Sequence, residues 1–214
     1  MTTRIVGRPV PGLSVTSEET SPSLAAIVAD VDPGVSDCRN QTSPDGMVTI
    51  VFTDIEGSTA MMERLGEEDW FEMLQAHNRL VRRLVAERGG DVVKSQGDGF
   101  MLAFRSAGSA LTCAAELQRA VAESNETQIE RALRVRIGVH TGNMFVLDGD
   151  FLGRSVVLAA RITGRARGGE VLVSAASKEY TERLGLWDFG PATLLSLKGL
   201  ANAECVYSLD WRAA

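Results

Sequence analysis

The chain has 214 residues, a formal net charge of −6, 44% hydrophobic residues and 23% charged residues. That length suffices for one substantial core, with roughly 100–200 residues expected per domain, and the acidic balance argues against a nucleic-acid polymer as partner. No apolar run approaches the roughly 20 residues that span a bilayer, and the N-terminus lacks a basic region followed by an apolar one, so a cytoplasmic protein is expected, with no membrane partner.

Residues 1–45 hold five of the six prolines together with many Ser, Thr and Asp. Such a composition cannot bury enough surface to offset chain entropy, so a flexible tail is expected there, with a short helix near 23–29 and the folded domain occupying 46–214. The cysteines, Cys38, Cys113 and Cys205, are odd in number and show no paired metal-ligand spacing, which reads as small apolar residues in a reducing compartment.

From Val48 onward the texture changes. VTIVF (48–52) is a strand that ends on Asp54, an acid open to three readings: a solvated loop residue, a helix cap or a metal ligand. A helix follows, with Ser58 or Thr59 available as N-cap. Residues 70–85 place Trp70, Met73, Leu74, His77, Leu80, Val81 and Leu84 on one helical face, and Gly89-Gly90 ends that helix.

DVVKSQ, GDG and FMLAF read as a hairpin with Asp98 at its tip, since Gly97 and Gly99 allow a tight turn. A second amphipathic helix covers 107–121. Residues 133–140 and 143–147 are expected to pair as strands around Thr141-Gly142, followed by a helix over 153–165. A strand at 170–174, a helix at 175–184 and strands at 193–197 and 205–209 complete the chain. The core order β-α-β-β-α-β, with a further helix and strands, predicts an α+β ferredoxin-like sheet with C-terminal additions.

Asp54 and Asp98 are far apart in sequence, yet such a sheet can bring their strands together. Hard divalent cations take oxygen ligands, and magnesium uses one or two carboxylates plus substrate phosphates. Asp98 between glycines is equally a plain turn residue. There is no GxxxxGK[ST] phosphate loop. His77, on an apolar helix face, reads as a core or interface residue and His140 as structural.

The motifs FTDIEGST, KSQGDGFMLAF, VRIGVHTG, DFLGRSVVLAARI and LKG, in that order and over about residues 47–211, closely resemble the catalytic domain of class III nucleotidyl cyclases of the bacterial adenylyl cyclase type. The resemblance implies a homodimer with sites shared between subunits, converting ATP to 3′,5′-cyclic AMP and pyrophosphate with two Mg²⁺ or Mn²⁺ ions per site. It carries Asp54 and Asp98 onto the metal-binding aspartates and the Ile55 carbonyl onto a further metal ligand. From the partner chain it carries Lys94 and Asp150 onto the purine-reading pair, Arg161 onto the transition-state arginine and Lys198 onto the lysine of the terminal phosphates.

The residue types suit that chemistry. Lysine only donates and ionised aspartate only accepts, which matches adenine's N1 and 6-amino group and mismatches guanine. Arginine's planar fork meets charge developing on a phosphoryl group, and lysine acts as a point charge on the leaving pyrophosphate. Taken singly, each of these residues is also an ordinary surface or turn position. The pattern departs at Val157, where most members carry an asparagine that orients the ribose. That loss keeps open a weakly active or inactive nucleotide-binding, dimerising module.

Overall fold

The computed structural model describes residues 41–200 and 202–213. The expected tail helix near 23–29 lies outside the described residues. The strands are β1 (Met47–Ile55), β2 (Asp91–Gln96), β3 (Gly99–Phe104), β4 (Val135–Asn143), β5 (Phe145–Leu147), β6 (Asp150–Leu152), β7 (Val171–Ser174), β8 (Thr193–Leu195) and β9 (Glu204–Ser208). The helices are α1 (Ser58–Leu65), α2 (Glu67–Glu87), α3 (Ala107–Thr127), α4 (Arg154–Thr163) and α5 (Ala175–Glu182), with a 3₁₀ turn at Ile129–Arg131. Among the described residues no helix is long and apolar enough to cross a membrane.

Seven strands form one sheet in the order β2-β3-β1-β4-β7-β9-β8. Its first four members have the ferredoxin-like order expected from the β-α-β-β-α-β succession, and β7 joins parallel to β4 before β9 and β8 close the edge antiparallel. β1 is central because its residues alternate between two apolar faces. Val51 and Ile55 join the cluster beneath α2 and α3, whereas Val48, Ile50 and Phe52 pack on the opposite face with Phe151 and Ala159.

The α2 stripe is close to the expected one: Trp70, Met73, His77, Val81, Leu84 and Val85 are buried. The helix starts earlier, at Glu67, and its first turn carries Glu67, Glu68 and Asp69, which favourably oppose the helix dipole. Neither Ser58 nor Thr59 is the N-cap of α1; Gly57, in the left-handed region at φ 71°, takes that position and supplies no side chain.

The pairing expected around Thr141-Gly142 is not formed. β4 runs straight through both residues, pairing Thr141 with Thr49 and Gly142 with Val48. Gly142 is small because a Cβ there would stand 2.5 Å from Ser155 Oγ of α4, so the glycine admits a helix and makes no turn. The turn lies later: Asp148 (φ 51°) and Gly149 (φ 77°) join β5 to β6 in a separate two-stranded sheet, the Asp-Gly pair suited to a I′ hairpin.

Residues 41–46 are fixed to the domain, ahead of the boundary expected at 46. The buried Gln41 donates to Asp91 Oδ2 at 2.8 Å and accepts from the Arg105 amide at 2.9 Å, tying the root of the β2–β3 hairpin.

Candidate active site

The face of the sheet that carries α4 leaves a cleft of about 240 Å³ beside that helix, lined among others by Phe52, Asp54, Lys94, Met101, Arg136 and Thr163. Three neighbouring strands build it. Asp54 follows Phe52 by two residues, so β alternation puts both side chains on this face, and the β1–β4 register sets Arg136 directly opposite Asp54. Arg136 Nε donates to Asp54 Oδ2 at 2.6 Å, and Arg136 Nη2 also contacts that oxygen.

Lys94 reaches the same face through an irregularity. The β2–β3 register pairs Val92 with Leu102 but Lys94 with Met101, a shift of one residue at Val93. Strict alternation from Val92 would turn Lys94 toward the α2 and α3 core; the bulge turns it to the cleft side with Met101. There Lys94 Nζ donates to Asp150 Oδ2 at 2.7 Å, and Asp150 Oδ1 accepts the Phe151 amide at 2.8 Å. Donor and acceptor are thus held side by side in one chain, both half-buried.

Asp98 lies at the β2–β3 turn, as expected, after Gly97 at φ 61°. Thr53 pairs with Phe100, so the register runs on to bring Asp54 beside Gly99, the neighbour of Asp98. Gly99 is needed for that approach: a Cβ on it would stand 2.9 Å from Thr53 O and 3.6 Å from Asp54 Oδ1. Asp54 thus lines the cleft, and Asp98 precedes the lining residue Gly99 at the adjoining turn.

Asp98 Oδ2 is buried and has no hydrogen-bond partner. A buried carboxylate oxygen without a partner is costly in an apolar setting and is the donor a hard cation would use. Ile55 follows Asp54 at the end of β1 with its side chain buried in the core, which leaves its backbone as its only group for a ligand. No group of three or more His, Cys, Asp or Glu able to hold a metal occurs among the described residues. Two carboxylates and one carbonyl nevertheless fit magnesium, which takes its remaining ligands from water and phosphate.

Arg161 and Lys198 are not gathered into this cleft. Arg161 is exposed near the end of α4, and Lys198 is exposed on the loop between β8 and β9, neither in an ion pair among the described residues. Val157, 47% exposed, borders a separate groove of about 380 Å³ with Arg154, Gly199, Leu200 and Asn202.

Sequence reasoning passed over Arg136. Its signal was present: Val135, Ile137 and Val139 face the core, so the intervening charge had to face the open side. His77 and His140 are both buried, and burial pushes each down to about 4, with Arg154 adding to the effect at His140. His140 Nδ1 is 2.9 Å from Ser174 Oγ, at the end of a buried hydroxyl chain through Ser177, Thr141 and Thr49.

The family profile of the adenylate and guanylate cyclase catalytic domain matches residues 41–209. Putative adenylate cyclase 3 of Rhizobium meliloti (strain 1021) is 38% identical over 136 residues, covering 63% of this chain and 23% of that protein. An adenylate cyclase of Mycosarcoma maydis is 33% identical over 175 residues, covering 70% of this chain and 7% of its own length. The solved adenylate/guanylate cyclase/hydrolase of Silicibacter pomeroyi superposes with a TM-score of 0.70 at 29% identity, covering 76% of this chain and 95% of that one. The chain thus spans only a small part of these two curated relatives but nearly all of a solved catalytic domain. It belongs to the adenylate and guanylate cyclase catalytic domain family.

Proposed function

We propose that the protein is an adenylate cyclase, converting ATP to 3′,5′-cyclic AMP and pyrophosphate at sites shared by two copies of the chain. The observation that carries the choice of ATP is the Lys94–Asp150 pair, a donor and an acceptor 2.7 Å apart on the cleft side of the sheet. Opened by a purine, it offers a donor to adenine N1 and an acceptor to the 6-amino group. Guanine would leave both unpaired.

In the reaction the ribose 3′-oxygen bonds to the α-phosphorus, the bond from that phosphorus to the pyrophosphate oxygen breaks, and the hydroxyl proton leaves. Two divalent cations held by Asp54, Asp98 and the Ile55 carbonyl would supply charge neutralisation and an acidified hydroxyl. Arg161 meets the charge on the transferring phosphoryl group, and Lys198 holds the terminal phosphates. Both are exposed and neither lines the cleft that holds Asp54, which supports a site completed by a second chain. The apolar Phe145, Leu147, Leu152 and Val157, each more than two-fifths exposed around α4 and the β5–β6 hairpin, support the same reading.

A weakly active nucleotide-binding module is favoured by one feature, the exposed Val157. Loss of one positioning hydrogen bond costs a factor on the order of 10²–10³ in turnover. Incubating the purified protein with ATP or GTP and Mg²⁺ or Mn²⁺, with chromatographic identification of the product, separates the readings. Cyclic AMP from ATP is expected; nucleotide binding without any cyclic product would favour the module.

A further inference from the structure

One row of residues crosses the cleft floor on the four adjacent strands β2, β3, β1 and β4. Gln96 pairs with Gly99, Thr53 pairs with Phe100 so that Asp54 stands beside Gly99, and Asp54 pairs with Arg136. All four members of the row, Gln96, Gly99, Asp54 and Arg136, line the cleft. Lys94 faces the cleft and β side chains alternate, so Gln96, two residues on, faces it too. The catalytic reading uses the lysine and the aspartate of KSQGDG and leaves the glutamine between them without a part.

The members of the row are engaged unequally. Asp54 accepts from Arg136 Nε on Oδ2 at 2.6 Å, and a Cβ on Gly99 would stand 3.6 Å from its Oδ1, so the second oxygen faces the space over the glycine. On the far side of that space the Gln96 side chain is exposed, and among the described residues no hydrogen bond ties its amide. Neighbouring strands lie about 4.8 Å apart, which sets the Gln96 and Asp54 backbones about 10 Å from each other. Gly99, lacking a side chain, leaves the floor between them open. An amide offers two donors and an acceptor, so it can meet a hydroxyl in either role.

We propose that Gln96 is a substrate-binding residue that hydrogen-bonds to the 2′-hydroxyl of the nucleotide's ribose. The assignment rests on the cyclase reading, in which the ribose 3′-oxygen comes to the metal side of the site at Asp54. The 2′-hydroxyl sits on the adjacent ring carbon, so a ribose that sets its 3′-oxygen at Asp54 carries the 2′-hydroxyl into the space over Gly99, within the span of the amide. Because Gln96 and Asp54 share one chain and one row, the contact belongs to the metal side of the site whichever chain supplies the base reader.

Two nucleotides that cannot cyclise isolate the contact: 3′-deoxyATP keeps the 2′-hydroxyl and 2′,3′-dideoxyATP lacks it. Calorimetric titration of the full-length protein in Mg²⁺ should give a Kd about 3- to 10-fold lower for 3′-deoxyATP, the effect of one hydrogen bond. Gln96→Leu should bring the two Kd values within about 1.5-fold by weakening 3′-deoxyATP alone, and Gln96→Met serves if the first variant does not fold. The preference for 3′-deoxyATP over 3′-deoxyGTP should stay unchanged. Equal binding of the two adenine analogues by the wild type, or a 2′-hydroxyl preference that survives the substitution, would overturn the assignment. A shifted adenine preference would do the same, placing Gln96 at the base. Each of those results leaves the cyclase proposal standing, whereas failure of every analogue to bind would overturn the nucleotide reading together with the role of Gln96.

Discussion

Lys94 Nζ donates to Asp150 Oδ2 at 2.7 Å, joining β2 to the start of β6 across 56 residues of sequence. The pair owes its geometry to the bulge at Val93, which turns Lys94 to the cleft side. If these two groups read the base, reversing their polarity should reverse the preference. Lys94→Glu combined with Asp150→Ser should lower the ratio of kcat/KM for ATP over GTP by about 10- to 100-fold, because a mispaired buried polar group costs about 1–3 kcal/mol. An unchanged ratio in a folded, dimeric double mutant would remove the basis for choosing ATP.

Asp98 separates stability from function. Its buried Oδ2 lacks a partner, so without a cation the carboxylate contributes nothing favourable there. In chelator, Asp98→Ala should leave Tm unchanged or raise it by a few degrees, the response to about 1 kcal/mol in a domain of this size. Mn²⁺ should stabilise the wild type and not the variant, and cyclase activity should fall by at least 10²-fold. A variant stabilised by Mn²⁺ as much as the wild type would show that Asp98 is a plain turn residue.

The sheet order was readable from the succession of elements, because strands such as β1 are short, nearly continuous apolar runs and helices such as α2 carry an apolar stripe. The β5–β6 hairpin was missed because Thr141-Gly142 looked like a turn, whereas Gly142 is small to admit Ser155. Asp148-Gly149 was the true signal. Asp54 and Asp98 stood out as acids at strand ends, but their adjoining placement depends on Gly99 passing close to the Thr53 carbonyl, a tertiary contact that no local pattern records. The unpaired nitrogens of His77 are invisible to periodicity for the same reason: the apolar stripe says that a residue is buried, and nothing about what faces it.

Acid stability should carry the mark of the two buried histidines. Their folded-state values, about 4, lie below the ordinary 6.5, so between those limits the unfolded chain binds more protons than the folded one. Stability therefore rises with pH through that window and is lost as pH falls from about 6.5 toward 4. Each histidine should account for about 2 kcal/mol of the loss between pH 7 and 4.5. Urea titrations of His77→Leu should show a correspondingly shallower decline, and an undiminished slope would contradict the assignment.

Gln41 sets where the N-terminal segment can be cut. The composition of residues 1–45 predicts that removing 1–42 is harmless, yet that cut deletes the side chain that joins Asp91 to the Arg105 amide. Removal of 1–40 should preserve Tm and turnover, whereas Gln41→Ala in the full chain should cost about 1 kcal/mol by removing the part-buried hydrogen bonds to Asp91 and the Arg105 amide. Equal melting of the Gln41→Ala variant and the wild type would show the clamp to be dispensable.

The claim that cyclic AMP is made at a site shared between two chains is tested most directly by complementation. Asp54→Ala disables the proposed metal side of each site and Arg161→Ala the proposed transition-state side, so each folded homodimer should be silent. A mixed dimer would keep one intact site, and an equimolar mixture should regain about a quarter of wild-type cyclic AMP production if half the dimers are mixed and each has one working site of two. Wild-type protein that makes no cyclic AMP, or a mixture of exchanging chains that stays silent, would contradict the account.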